Sequence, residues 1–151
     1  MARISERNAR YRTRDEICRD VSLILQDERL HVGTKYAVVD QVLWVWSEFD
    51  GKHVGCRYWS VAAKATESRR EGLIHEHLVP REVVRQKIFG LRNPTQEAVR
   101  RTLKTWCVGV VVTKTEDEKL NNLGLRSSMP LDWNRRDKWA RYKAAEIAIA
   151  A

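Results

Sequence analysis

Apolar residues recur at helical spacing through the first third of the chain. Ile17, Val21, Ile24 and Leu25 share one face of a helix predicted over residues 15–30. Val39, Val42, Leu43 and Trp46 do the same over residues 35–49, with Thr34 as the N-cap and Asp50-Gly51 as the stop. The β-branched Val38, Val39, Val42 and Val45 keep a strand open as the alternative there. Ser60 can cap a short helix through Ala62, Ala63 and Lys64. In the second half the period changes. Residues 72–79 (GLIHEHLV) read as a short strand stopped by Pro80, and residues 81–89 as an amphipathic helix. Asn93-Pro94-Thr95-Gln96 predicts the start of a helix that runs to about residue 104, with Asn93 as N-cap and Pro in the first turn. Residues 106–113 (WCVGVVVT) form the most apolar strand, suited to a central position. Thr113 and Glu116 make a capping-box pair, so a helix follows at once, through Leu120 and Leu123 to Gly124. Residues 136–147 complete the pattern as a last helix.

Composition narrows the class. The chain has 151 residues, 43% of them hydrophobic and six of them Trp, which allows one domain with a real core and excludes a disordered basic tail. No apolar run is long enough for a membrane span or a signal peptide. Cys18, Cys56 and Cys107 are odd in number and widely spaced, so neither a disulfide framework nor a paired-cysteine metal knuckle is expected, and a reducing cytoplasm is the expected compartment. Cys56 and Cys107 read as buried thiols. A single α+β domain spans residues 1–151: a mainly helical part over 1–71, a strand–strand–helix core over 72–124 with helices inserted between its strands, and a helical segment over 125–151.

The net charge of +8 makes a phosphate-bearing partner worth considering, and its location matters more than its sum. Residues 1–14 hold five Arg against one Glu, but residues 15–28 hold five carboxylates against one Arg, so the two blocks cancel and are expected to pair with each other. The surplus lies elsewhere. Residues 81–105 carry seven cations and two anions, and residues 126–143 carry six and two. Each is either a solvated face or a polyanion-binding surface.

Histidine placement is the sharpest chemical feature. Two of the four histidines fall in His75-Glu76-His77-Leu78-Val79-Pro80. On a strand, His75 and His77 face one side and Glu76 the other. Two imidazoles and a carboxylate so close together suit a divalent metal, or a metal plus a general base. Glu116, Asp117 and Glu118 in the first turn of the following helix complement its dipole. His31, near the end of the first helix, needs only that dipole or exposure, and His53 has no assigned role.

The segment EHLVP resembles the first-strand signature of the HNH nucleases, the ββα-metal or His-Me finger superfamily, which reads Asp/Glu-His-Ile/Val/Leu-x-Pro. The order of elements is similar too: EHLVP, then WCVGVVVT, then TKTEDEKLNN. The resemblance covers roughly residues 72–124 and implies a ββα-metal-like fold there. It further implies that Glu76 ligates a divalent metal (Mg²⁺ first, Mn²⁺ or Zn²⁺ as alternatives), that His77 is the general base with His75 beside it, and that Asp117 or Asn121 completes the metal site. The implied activity is hydrolysis of phosphodiester bonds in DNA, most naturally double-stranded, in a restriction, phage-defence or mobile-element setting. A neutral imidazole can take a proton from water near neutral pH, hard carboxylates suit Mg²⁺, and cations must hold the polyanion. Arg81, Arg85, Lys87, Arg100, Arg101 and Lys104 from the first basic stretch, with Arg135 and Arg136 from the second, are the cations so expected.

Other readings of the same residues stand beside it. One is a non-catalytic basic module, binding nucleic acid or protein, that keeps a degenerate HNH-like fold. Another is a zinc site on the His75/His77 pair; the plainest is two hydrogen-bonded strand histidines. The six Trp, irregularly spaced, read as core anchors, with Trp133 and Trp139 the pair having a case for base stacking because they lie among Arg135, Arg136, Lys138 and Arg141. The C-terminal AAEIAIAA either packs on the domain or forms a contact in a homo-oligomer.

Overall fold

The computed structural model describes residues 12–66 and 72–151. Expectations for Arg3, Arg7 and Arg10 lie outside the described residues. The chain folds as α1 (Arg14–Gln26), α2 (Val32–Ser47), β1 (Tyr58–Trp59), α3 (Val61–Ala65), β2 (Leu73–His77), α4 (Arg81–Phe89), α5 (Gln96–Trp106), β3 (Gly109–Thr113), α6 (Lys114–Asn122) and α7 (Ala140–Ala144). The class is α+β, as expected. No helix among the described residues is long and apolar enough to cross a membrane.

Local chemistry explains most of the boundaries. Thr13 and Glu16 close a reciprocal capping box at the start of α1, and Thr113 and Glu116 close another at α6. Ser60 caps α3 by accepting the Ala63 N–H. The start of α2 differs from expectation: His31, not Thr34, is the N-cap, and its ring Nδ1 accepts the Gly33 N–H at 3.0 Å. Likewise Thr95 rather than Asn93 caps α5, taking the Ala98 N–H.

The predicted helix over 136–147 shrinks to the five residues of α7. Upstream, the Asn134 side-chain oxygen accepts the N–H groups of Arg136 and Asp137, and the Asp137 carboxylate accepts that of Trp139. These side chains offer the backbone turns in place of a helical ladder. Arg135 and Glu146 sit at φ 63° and 53°, bracketing the short helix with left-handed residues.

Three strands make a mixed sheet in the order β1-β3-β2. β2 and β3 are antiparallel, with His75 opposite Val111 and His77 opposite Gly109, although α4 and α5 intervene in sequence. β3 is accordingly central, and Val110, Val111 and Val112 are fully buried. β1 is two residues long and runs parallel to β3, pairing Tyr58 with Val110 and Trp59 with Val111. The C-terminal tail lies against it: Val61 N–H donates to Ala148 O and Ala150 N–H to Trp59 O, and Ile147 is buried. That tail packs on its own domain.

α1 packs against α2 and α5, α4 against both α2 and α5, and α6 across β2 and β3. The main core draws Ile17, Val21, Val39, Leu43, Val84 and Leu103 from the helices together with Val110 and Val112 from the sheet. The basic and acidic N-terminal blocks do not pair with each other where they are described. Arg12 donates to Gln41, Arg14 pairs with Asp50, and Asp15 pairs with Arg100. The N-terminal end of α1 is thus tied to α2, to the loop after it and to α5 by partners distant in sequence.

Gly109 is required where β3 begins. A Cβ there would stand 2.3 Å from Cε1 of the buried His75 ring and 3.0 Å from the Ser47 carbonyl oxygen. Gly109→Ala is therefore expected to destabilise the fold by about 1–3 kcal/mol, as overpacking does. A fall in the urea unfolding midpoint with unchanged slope would show it; an unchanged midpoint would mean that the ring yields freely.

Candidate functional site

The EHLVP strand divides its polar side chains between two environments. His75 and His77 point to the side where the C-terminal part of α2 lies, and both are nearly inaccessible, at 4% and 3%. The His75 Nδ1 lies 2.7 Å from the Lys52 carbonyl and its Nε2 3.4 Å from the Ser47 hydroxyl. The His77 ring meets the edge of Trp44 with centroids 4.9 Å apart, and its Nε2 is buried with no hydrogen-bond partner. Burial, followed by the neighbouring His75, pushes the His77 pKa down to about 3, and burial lowers that of His75 as well. Both rings are neutral at physiological pH, but neither faces solvent from which water could be activated.

Glu76 faces the opposite side. There the Arg141 guanidinium, completely buried, donates from Nη2 to Glu76 Oε1 at 2.7 Å. The same guanidinium reaches the His77 carbonyl, the Leu78 carbonyl at 3.1 Å and the Leu125 carbonyl at 2.8 Å. Glu76 Oε2 accepts the His77 N–H at 2.8 Å, so both carboxylate oxygens are engaged. The start of α6 is on this side too. Tyr142, its phenol raised first by burial and then by Glu76, Glu116 and Asp117, has a buried hydroxyl without a partner. Glu116 bonds Ser60 Oγ at 2.5 Å and the Thr113 N–H, and Asp117 meets Asn121 at 3.4 Å.

The strand therefore brings Glu76 and the α6 acids to one side and sends His77 to the other. Among the described residues, no three His, Cys, Asp or Glu side chains converge as a metal-binding group. Glu76, Asp117 and Asn121 as arranged do not fit a divalent cation, because a guanidinium takes the place beside Glu76.

The expected phosphate-binding cations separate in the same way. Arg81 and Arg85 both pair with Asp40 on α2, Arg85 also pairs with Glu82, and Arg81 stacks on Trp44. Lys87 is half-buried, its Nζ 4.0 Å from the Trp106 ring centroid and 5.5 Å from that of Trp133, and desolvation lowers its pKa. Trp133 packs edge-on to Trp106, and Trp139 on Tyr58 and Tyr142, so both are structural. Arg100 pairs with Asp15 and Glu97. Arg101, Lys104, Arg135 and Arg136 are exposed.

A different set of residues surrounds a cleft of about 470 Å³. Arg14 from α1, Arg57 beside β1, Arg100 and Lys104 from α5, and Lys138 from the C-terminal segment line it, with Asp50 the one carboxylate in its wall. Arg57, Lys104 and Lys138 have no ion-pair partner among the described residues, whereas Arg14 is held by Asp50 at 2.8 Å. The loop over residues 50–57 shapes one wall. Gly51 and Gly55 take φ values of +130° and +93°, and a Cβ on either would lie 1.9 Å from a backbone oxygen of this loop. The cleft floor includes Ser47 and Gly109, which also touch His75.

Arg14, Arg57 and Lys138 were not among the sequence-derived cations. The available signal was the run Asp50-Gly51-Lys52-His53-Val54-Gly55-Cys56-Arg57, a glycine-bracketed basic loop. Comparison of the chain with known families, curated proteins and solved structures returns no match.

The buried groups make two predictions. Unfolded His binds protons below about pH 6.5, whereas folded His77 stays neutral to about 3. Stability is thus highest above pH 6.5 and falls between pH 6.5 and 3, by as much as ~1.4 kcal/mol per pH unit for each such proton. Urea unfolding of the protein and of His77→Phe at pH 6.5, 6.0 and 5.5 should show a shallower loss in the variant; parallel curves would contradict the assignment. Separately, Arg141→Met should cost about 3–5 kcal/mol by leaving Glu76 without its counter-charge. Adding Glu76→Gln should recover part of that loss in thermal unfolding, and simple additivity would argue against the pair.

Proposed function

We propose that this protein is a non-catalytic nucleic-acid-binding module built on an HNH-like strand–strand–helix unit. The observation that carries the reading is the cleft, where five cations from separate parts of the chain gather and three of them, Arg57, Lys104 and Lys138, have no ion-pair partner among the described residues. Cations so gathered neutralise phosphates and release the counterions condensed on a nucleic acid, which is the largest source of affinity not dependent on base sequence. The surroundings of the EHLVP strand favour binding over hydrolysis. A general base needs a path for its proton to and from water, and His77 is packed under Trp44. A metal ligand needs free lone pairs, and Arg141 and a backbone N–H engage both oxygens of Glu76.

The metal-dependent endonuclease remains as the second reading because of one specific observation. β2 and β3 pair antiparallel, and β3 runs directly into α6, the order the EHLVP resemblance implies.

The two readings part in one experiment. The protein is titrated with fluorescent DNA and RNA between 50 and 300 mM salt, with and without EDTA, and incubated with plasmid in Mg²⁺, Mn²⁺ or Ni²⁺. The binding module predicts log affinity falling against log salt with a slope of about −2 to −3, as expected if the three unpaired cations engage phosphate. It also predicts no effect of EDTA and no nicking. Metal-dependent cleavage that His77→Ala abolishes, with DNA affinity intact, would establish the endonuclease instead.

A further inference from the structure

The shape of the cleft bears on which form of nucleic acid can use it. Its cations do not form a flat stripe. They stand around a depression, on α1, on α5, beside β1 and on the C-terminal segment. A volume of about 470 Å³ is of the scale that encloses a small organic molecule, about a nucleotide or two. A duplex keeps its bases stacked inside and offers such a depression only its outermost phosphates, so it meets the cations at the rim alone. A single strand can enter and bring one phosphate within reach of several walls.

The wall at β1 adds a second, independent feature. Arg57 is exposed, and its guanidinium lies over the Tyr58 ring with 5.0 Å to the centroid. The other side of this arrangement is fixed, because Trp139 packs edge-on against Tyr58 at 5.1 Å. The Tyr58 ring is thereby held in place at the cleft, with the Arg57 guanidinium over it. Unstacked bases bind such planes, and bases within a duplex cannot.

On the binding reading given above, we propose that the cleft is a site for single-stranded nucleic acid. A backbone phosphate sits between Lys104 and Lys138, and an unstacked base lies on the Arg57–Tyr58 plane. Arg14 is engaged by Asp50, and Arg100 by Asp15 and Glu97, so both contribute less. Because the contacts are to phosphate and to a base face, the site does not select a base sequence.

The test measures binding of the full chain to a fluorescent 12-nucleotide single strand of DNA, to the same sequence as RNA, and to a blunt duplex, each over the same salt series. The single strands should bind about tenfold more tightly than the duplex, in keeping with the contribution of one stacked base. Arg57→Ala should weaken the single strands about tenfold and leave the duplex within about twofold, because only the single strand stacks. Lys104→Ala combined with Lys138→Ala should lower the single-strand salt slope by about 1.4. Arg126→Ala, an exposed cation outside the cleft, is the control and should change neither. Duplex binding equal to or tighter than single-strand binding overturns the proposal while leaving the nucleic-acid reading intact, as does an Arg57→Ala effect of equal size on both. Absence of salt-dependent binding to all three probes overturns the broader reading as well.

Discussion

A single buried guanidinium organises the second half of this fold. Arg141 enters from a helix of five residues, yet it bonds the carboxylate of Glu76, the carbonyls closing β2 and the Leu125 carbonyl beyond α6. A charge with no solvent exposure costs several kcal/mol to desolvate, so it persists only where every donor direction finds an acceptor. The chain must therefore deliver β2, the exit of α6 and the start of α7 to one point. The same demand determines the fate of the EHLVP segment. With Glu76 committed to Arg141, strand alternation sends His75 and His77 to the opposite side, against α2. Gly109 then has to lack a side chain so that the His75 ring can lie over the start of β3.

Sequence and structure agree where the controlling chemistry is local. The capping box of α6 and the Ser60 cap are read from residues within a few positions of one another, and the structure keeps them; β2 ends at His77, before the expected stop at Pro80. The shifted caps of α2 and α5 fail by a narrow margin. His31 is an unusual cap that competes through its ring nitrogen, and Thr95 stands beside the expected Asn93. β1 was not legible for a different reason. Two residues carry no periodicity, and Tyr58 and Trp59 become a strand only because β3 presents an unpaired edge. The expected final helix was defeated by Asn134 and Asp137, whose side chains capture backbone donors before a helix can.

The site was less legible than the fold. The sequence places His75, Glu76 and His77 on a strand and the acids on the next helix, and both placements are correct. What it does not contain is the identity of the group across from Glu76, because Arg141 lies far along the chain and belongs, by sequence, to a basic stretch rather than to a core. Charge was misleading for a related reason. The stretch over residues 81–105 is rich in cations, but Asp40 takes two of them, a tryptophan pair takes a third, and Asp15 with Glu97 takes a fourth. Counting charge along a helix gives no account of which neighbours cancel it.

Cancellation also explains why the cleft is where it is. Ion pairing between exposed groups contributes little to stability, yet it lowers the positive potential that a polyanion would meet. Where α1, α2, α4 and α5 pack together, Arg14, Arg81, Arg85, Lys87 and Arg100 each find a carboxylate or a ring to lie on. At the cleft a glycine-bent loop, a two-residue strand and the C-terminal segment meet the ends of α1 and α5, and there Arg57, Lys104 and Lys138 keep no ion-pair partner among the described residues. Helix-to-helix packing creates regular opportunities for opposite charges to face each other, and irregular segments meeting at an edge do not. Part of the surplus charge of the chain is thus gathered where the least regular part of its architecture meets the helical core, at a cleft that a phosphate can approach from several sides.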